Sequence, residues 1–180
     1  MSTICFLFFS ILVKIYTVLF FKERGLIMKI IVNKLEETLL LGKKIGELTK
    51  PGDIFCLDGD IGSGKTHLTK GIALGLGIEE NITSPTFTIV NEYDSGRIKL
   101  NHFDVYRVND PDEIYAIGFD EYIFSSAVTV IEWAEYIEEL IPKDYVHITI
   151  NKIPESGENC RIINITPHGD RYDYIKELEI

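Results

Sequence analysis

The chain has 180 residues, of which 46% are hydrophobic and 26% charged, and its formal net charge is −10. This length is typical of one domain with a sizeable core, and the near-average composition excludes disordered, collagen-like and disulfide-scaffold classes. An acidic chain is also a poor candidate for binding nucleic acid without a partner protein, because phosphate contacts need clustered Lys and Arg.

Cys5, Cys56 and Cys160 are far apart and odd in number, so they predict no zinc site, redox pair or disulfide framework. We expect Cys56, in an apolar run, to be a buried core residue.

The first 27 residues differ in composition from the rest of the chain. Residues 4–21 are almost all apolar, and residues 1–28 carry a net charge of +2, whereas the other 152 residues hold 15 bases and 27 acids. Three interpretations stay open: an upstream start outside the working protein, a membrane anchor with Lys14 in its middle, or a cleaved signal peptide. We predict an apolar leader at residues 1–27 and a cytoplasmic domain at residues 28–180, where Met28 is a natural start.

Strands and helices alternate from Met28 onward. Residues 29–32 predict a strand, and Asn33 with Glu36 predicts the capped start of a helix that Pro51-Gly52 ends. Further strands are expected at 53–58, 87–93, 98–105, 128–133, 145–153 and 161–165, with 87–93 and 98–105 forming a hairpin; helices are expected at 65–76, 111–117 and up to residue 140. This alternation predicts an α/β fold with a mostly parallel central sheet and antiparallel additions.

The turn between residues 53–58 and 65–76 carries a phosphate-binding pattern. Residues 59–66 read GDIGSGKT and match G-x-x-x-x-G-K-[ST]. Glycines allow the loop N–H groups to face an anion, the helix N-terminus adds positive charge, and the lysine and threonine suit phosphate and Mg²⁺. We therefore predict a P-loop NTPase-like three-layer fold that binds a nucleotide with Mg²⁺. The predicted loop ligands are Gly59, Asp60, Ile61, Gly62, Ser63, Gly64, Lys65 and Thr66.

Two later strands end in carboxylates, at the sheet edge where open α/β sheets place their ligands. Glu132 is the first choice for the Mg²⁺ acid and Asp104 the second, and either could position or deprotonate water. Trp133 is either a packing aromatic or a nucleotide contact. We expect His67 to be incidental and His102 to be a core histidine. The predicted catalytic residues are Lys65, Asp104 and Glu132, and the predicted metal ligands are Thr66 and Glu132.

Four segments in order and spacing resemble the TsaE (YjeE-like) ATPases over about residues 28–165. They are residues 59–66 (GDIGSGKT), 83–88 (TSPTFT), 102–107 (HFDVYR) and 131–135 (IEWAE). The resemblance implies a P-loop ATPase that supports bacterial synthesis of threonylcarbamoyladenosine in tRNA. In that family the ATPase acts on the complex of TsaD and TsaB and does not itself transfer the threonylcarbamoyl group. Contact with tRNA is therefore expected to be only indirect, and no direct DNA binding is expected.

The resemblance also assigns roles to positions. It implies that Glu132 is the metal-associated acid, that Asp104 is a second essential carboxylate and that Trp133 lies beside the nucleotide. Residues 83–86 resemble a switch segment that responds to the γ-phosphate, and residues near the start of the first helix, including Thr38, are expected to border the base.

Two other functions stay open from the residues alone, a P-loop kinase for a small molecule and a non-catalytic nucleotide-dependent interaction switch. A kinase of this class usually needs a mobile lid with several arginines, and the only arginines between Thr66 and Glu132 are Arg97 and Arg107. Membrane contact is expected only if residues 1–27 belong to the working protein.

Overall fold

A computed structural model describes residues 16–22, 25–108 and 110–178. Its helices are α1 (Leu35–Leu48), α2 (Lys65–Gly75), α3 (Pro111–Ala116) and α4 (Phe119–Ile123), with 3-10 segments at Ala134–Leu140, Pro154–Ser156 and Asp170–Glu177. Its strands are β1 (Tyr16–Lys22), β2 (Gly25–Val32), β3 (Ile54–Asp58), β4 (Val90–Tyr93), β5 (Leu100–Asp104), β6 (Val128–Glu132), β7 (Tyr145–Lys152) and β8 (Arg161–His168).

These strands form one mixed sheet in the order β1-β2-β8-β7-β3-β6-β5-β4. The four central strands, β7, β3, β6 and β5, are parallel, and the flanking strands pair antiparallel. The α/β class, the parallel centre, the hairpin β4–β5 and the antiparallel additions are confirmed. The antiparallel share is larger than predicted, because the loop between β7 and β8 is too short for a crossover and forces a hairpin.

The predicted boundary at Met28 lies within β2, which starts at Gly25 and pairs with β1. Residues 1–15 of the predicted leader lie outside the described residues, and the division at Met28 stays a prediction. Within the described part of the chain, no helix combines the length and apolar character needed to cross a membrane.

Two hydrophobic cores lie on opposite faces of the sheet. Phe55 and Leu57 of β3 face the core shared with α1 and α2, whereas Ile54 and Cys56 face the core shared with α3, α4 and the segment Ala134–Leu140. This alternation follows from the two-residue period of a strand that is covered on both sides. The predicted burial of Cys56 is confirmed.

Cys56 is expected to resist alkylation in the folded protein. It is 2% exposed, and burial raises the pKa of its thiol, so the reactive thiolate is scarce at neutral pH. Iodoacetamide labelling followed by peptide mass spectrometry should modify Cys56 only after the chain is unfolded in urea. Equal labelling rates in the native and unfolded chains would contradict this.

The start of α1 corrects one detail of the expected helix cap. The N-cap residue is Lys34, not Asn33, and it makes no side-chain capping bond. Instead the Asn33 backbone N–H donates to Glu37 Oε2 at 2.6 Å. An acid in the first turn thus binds the N–H of the residue before the N-cap, and this acid is Glu37, one residue later than predicted.

Helices α1 and α2 pack against each other through glycines. A Cβ on Gly42 or Gly46 would lie 2.4 or 2.2 Å from a carbonyl oxygen of α2. A Cβ on Gly71 or Gly75 would lie 2.3 or 2.2 Å from a carbonyl oxygen of α1. The two backbones therefore approach as closely as glycine permits. This contact fixes the position of α2, which begins at Lys65, relative to α1.

Candidate functional site

The loop between β3 and α2 has the backbone that its glycines predict. Gly59, Gly62 and Gly64 have φ angles of 138°, 71° and 115°, which only glycine adopts readily. A Cβ on Gly59 would also lie 2.2 Å from the Ile150 carbonyl oxygen of β7. The loop is therefore a tight turn that leads directly into the N-terminus of α2, where backbone N–H groups and the helix dipole favour an anion.

Lys65 is folded back over this loop. Its Nζ donates to the carbonyl oxygens of Gly59 at 2.5 Å and Asp60 at 3.1 Å, and it lies 3.6 Å from the centre of the Trp133 ring. Burial lowers the pKa of Lys65, while the carboxylates of Glu132 and Asp104 act in the opposite direction. The two predicted acids therefore favour the charged form of Lys65 and oppose the effect of burial.

The two predicted carboxylates are neighbours at the end of the sheet. Asp104 and Glu132 are register partners on the parallel strands β5 and β6, and they are 4% and 3% exposed. Thr66 Oγ1 donates to Glu132 Oε2 at 3.1 Å, which brings together the two predicted metal ligands. Hydroxyl and carboxylate oxygens form a donor set that suits Mg²⁺.

His102 has a contact that was not expected of it. The predicted burial is confirmed, since His102 is fully buried, and its Nε2 lies 2.9 Å from Glu132 Oε1. A carboxylate oxygen can only accept, so Nε2–H is the donor. Its Nδ1 is buried and has no hydrogen-bond partner among the described residues. His102 and Thr66 thus hold one oxygen each of Glu132.

Replacing His102 with leucine is expected to lower the free energy of unfolding by about 1–3 kcal/mol, because a buried carboxylate oxygen loses its donor. His102→Gln retains an N–H donor and should recover part of the loss. Urea denaturation of both variants measures the difference. Unchanged stability of His102→Leu would show that the contact with Glu132 does not matter to the fold.

Asp104 anchors the loop that precedes β4. Its Oδ2 accepts from the hydroxyl of Ser84 and from Thr86 Oγ1 at 2.6 Å, and its Oδ1 accepts from the Tyr106 backbone N–H at 3.1 Å. Residues 83–86, which lie about twenty positions earlier in the chain, are thus tied directly to the second predicted acid.

Trp133 lies at the rim of the site in an unusual conformation. Its φ is 65°, in the left-handed region that residues with a side chain rarely adopt. Its ring contacts the rings of Tyr106 and Tyr136 at centroid distances of 4.8 and 5.8 Å, in addition to the Lys65 ammonium. The aromatic contacts and the backbone turn together direct this side chain towards the loop.

These groups line a cleft of about 480 Å³ at the carboxyl end of the parallel strands. Its lining residues are Leu35, Ile61, Gly62, Ser63, Gly64, Lys65, Thr66, His67, Ser84, Thr86, Asp104, Tyr106, Glu132 and Trp133. Gly59 and Asp60 lie beneath Lys65 and bind it through their carbonyl oxygens. All the predicted site residues are therefore brought together. Thr38 is buried in α1, and Leu35, also near the start of this helix, lines the cleft.

The comparisons with known proteins agree with one another. The family model described as "Threonylcarbamoyl adenosine biosynthesis protein TsaE" matches residues 32–161. The chain is 44% identical over 142 residues to a protein of Bacillus subtilis (strain 168) named tRNA threonylcarbamoyladenosine biosynthesis protein TsaE, covering 79% of this chain and 87% of that one. The chain belongs to the TsaE family.

Other TsaE proteins extend this relationship. The TsaE of Treponema pallidum is 36% identical over 135 residues, which cover 75% of this chain and 99% of that protein. The crystal structure of Bacillus subtilis YdiB superposes with a TM-score of 0.72 and 38% identity, covering 84% of this chain and 92% of that one. The resemblance seen in the sequence is confirmed, and both the α/β fold and the mixed sheet agree with the YdiB structure.

Several residues at the cleft of this TsaE family chain were missed or undervalued. Leu35 lies outside any motif and was expected only as one of the residues near the start of the first helix, and His67 was expected to be incidental although it lines the cleft. Arg97 donates to the carbonyl oxygens of Gly46 and Thr49 at the end of α1 instead of reaching the cleft. That position gives no support to the arginine lid that a kinase would need.

Proposed function

We propose that this TsaE family chain is an ATPase with a P-loop NTPase-like three-layer fold and that its ATP hydrolysis supports tRNA threonylcarbamoyladenosine synthesis. One observation carries the proposal. The loop lysine, the Thr66–Glu132 contact and the buried Asp104 meet in a single cleft at the carboxyl end of the parallel strands. Phosphoryl transfer depends mainly on positioning and charge stabilisation, and this cleft concentrates groups of those kinds.

The chain's own residues have separable parts in this mechanism. The loop N–H groups and the N-terminus of α2 bind the phosphates, and Lys65 moves from the loop carbonyls to the β- and γ-phosphates. Asp104 and Glu132 are the carboxylates that can orient the attacking water or accept its proton. Trp133, at the rim of the cleft, lies beside the nucleotide.

Mg²⁺ fits the donor set of this cleft. Thr66 and Glu132 would hold the ion, with His102 keeping the Glu132 carboxylate in place. When bound, Mg²⁺ supplies positive charge that offsets the negative charge of the β- and γ-phosphates. Among the described residues, no group of three or more His, Cys, Asp or Glu is arranged to hold a metal ion. A site of this kind relies on few protein ligands together with the substrate phosphates, as is usual for Mg²⁺.

The charge of the chain favours action through partner proteins. Residues 29–180 carry a net charge of −12, which is unfavourable for direct contact with the tRNA backbone. We therefore propose that residues 28–180 form a cytoplasmic ATPase domain that acts on the complex of TsaD and TsaB and meets tRNA only indirectly.

Two assays of the purified chain test this proposal. Release of ADP from ATP should require Mg²⁺ and should increase when TsaD and TsaB are added. Reconstituted threonylcarbamoylation of tRNA should not be sustained when this chain is omitted. Phosphorylation of a small acceptor without the partner proteins would instead identify a kinase, and sustained tRNA modification without this chain would remove its proposed role.

A further inference from the structure

Two basic residues behind the phosphate loop contact the loop without lining the cleft. Lys152 ends β7 and Arg161 begins β8, and the two are register partners at the end of the β7–β8 hairpin. They lie about 90 to 100 positions after the loop in the chain, so no local pattern links them to it.

Both side chains donate to carbonyl oxygens of the loop. Lys152 Nζ donates to the Ile61 oxygen at 2.8 Å, and Arg161 Nε donates to the Ser63 oxygen at 2.9 Å. Arg161 Nη2 also contacts the Gly62 oxygen at 3.5 Å. Three consecutive carbonyls of the loop are thus turned towards two cations on its outer side.

The geometry of the peptide bond gives these contacts a consequence on the inner side. In a planar trans peptide, the carbonyl of one residue and the N–H of the next point in opposite directions. The outward carbonyls of Ile61 and Ser63 therefore turn the N–H groups of Gly62 and Gly64 away from the hairpin and towards the cleft. Such N–H groups are those that an anion-binding loop presents to phosphate.

Arg161 is itself held in place by the hairpin. Its Nη1 donates to the carbonyl oxygens of Glu158 at 2.7 Å and Cys160 at 2.9 Å, in the turn between the strands. The guanidinium group therefore bridges the β7–β8 turn and the phosphate loop. Lysine could not form the same bridge, because it lacks the several coplanar donors of a guanidinium group. Lys152 is exposed and makes a single contact, so it is the simpler of the two supports.

We propose that Lys152 and Arg161 are positioning residues that orient the phosphate loop for nucleotide binding. The inference rests on the proposed function, because it assumes that the loop binds phosphate. The two residues act through the peptide groups of the loop and not by touching the substrate. They should therefore affect the affinity for nucleotide much more than the rate of the chemical step.

The test compares Lys152→Ala and Arg161→Ala with the wild-type full chain. Isothermal titration with ADP and with ATP, both with Mg²⁺, should show affinities weaker by about tenfold or more in each variant, the effect expected for a lost hydrogen bond to a charged donor. The KM for ATP should rise by a similar factor while kcat changes less than about threefold. Lys152→Arg, which keeps a cationic donor, should restore most of the affinity.

Controls separate this inference from a loss of folding and from a failure of the proposed function. Lys176→Ala removes an exposed lysine of the segment Asp170–Glu177 and should bind nucleotide as wild type does. Wild-type affinity in both hairpin variants, while Lys65→Ala no longer binds, would overturn the inference and leave the proposed function intact. A loss of affinity matched by a lower urea midpoint in Lys152→Ala would also overturn it. Undiminished binding by Lys65→Ala would overturn the proposed function and the inference together.

Discussion

Replacing Lys65 with alanine is expected to lower the rate of ADP release by about 10²–10³-fold, the effect of losing one preorganised donor to a charged transition state. Lys65 is buried in the cleft, where its ammonium group contacts two loop carbonyls and the Trp133 ring and lies near both acids. Alanine removes both loop contacts and the charge that would meet the β- and γ-phosphates. Steady-state ADP release measures the loss of turnover, and titration with ADP measures the loss of nucleotide affinity.

A matched control for this prediction is Lys176→Ala, which removes a lysine of the same charge at an exposed position paired with Asp173. Its turnover should equal that of the wild type. Urea denaturation of Lys65→Ala should show a folded protein, so that lost activity reports on the site. Wild-type turnover by Lys65→Ala would show that the cleft is not where ATP is hydrolysed.

Gly75→Ala is expected to lower the free energy of unfolding by about 1–3 kcal/mol or more, as overpacking of a close contact does. The new Cβ would lie 2.2 Å from the Lys43 carbonyl oxygen and 2.7 Å from the Glu47 backbone nitrogen, and neither backbone can move aside cheaply. Helix propensity alone predicts the opposite sign, because alanine is favoured over glycine by about 1 kcal/mol inside a helix. The sign of the change therefore tests the close packing of α1 against α2.

The urea midpoint of Gly75→Ala should fall with little change in the slope of the transition. Lys43→Ala is the matched control, since it truncates an exposed side chain beside the same contact and loses a surface ion pair worth about 0.3–0.5 kcal/mol. Nucleotide affinity should also fall in Gly75→Ala, because α2 carries Lys65 and Thr66 at its start. A Gly75→Ala variant as stable as Lys43→Ala would contradict the described helix contact.

Much of the candidate site could be predicted from the sequence because its information is local. Residues 59–66 are contiguous, and their glycines, lysine and threonine have meaning at fixed spacing, so the loop was found without a structure. Asp104 and Glu132 were found because each ends an apolar strand, and the carboxyl ends of parallel strands share one edge of a sheet. The predicted helix cap was wrong by one residue, because several polar residues near Asn33 can each satisfy the first N–H groups of α1.

The fold was predictable to the level of alternating strands and helices but not to the level of strand partners. The β4–β5 hairpin follows from a short turn, whereas the position of β2 beside β8 joins segments more than a hundred residues apart. The short helix α4 and the 3-10 segment Asp170–Glu177 were missed because both are brief and their patterns are weak.

The motif GDIGSGKT and the two strand-end acids predicted the α/β class and most residues of the candidate site, and the four segments that resemble the TsaE ATPases indicated the family. Only the tertiary structure decided that His102 supports Glu132, that Ser84 and Thr86 bind Asp104, and that Arg161 and Lys152 support the loop from outside. The physical reason is distance along the chain. A residue that acts through a backbone carbonyl or a buried carboxylate needs no fixed spacing from it, so folding alone brings the two together.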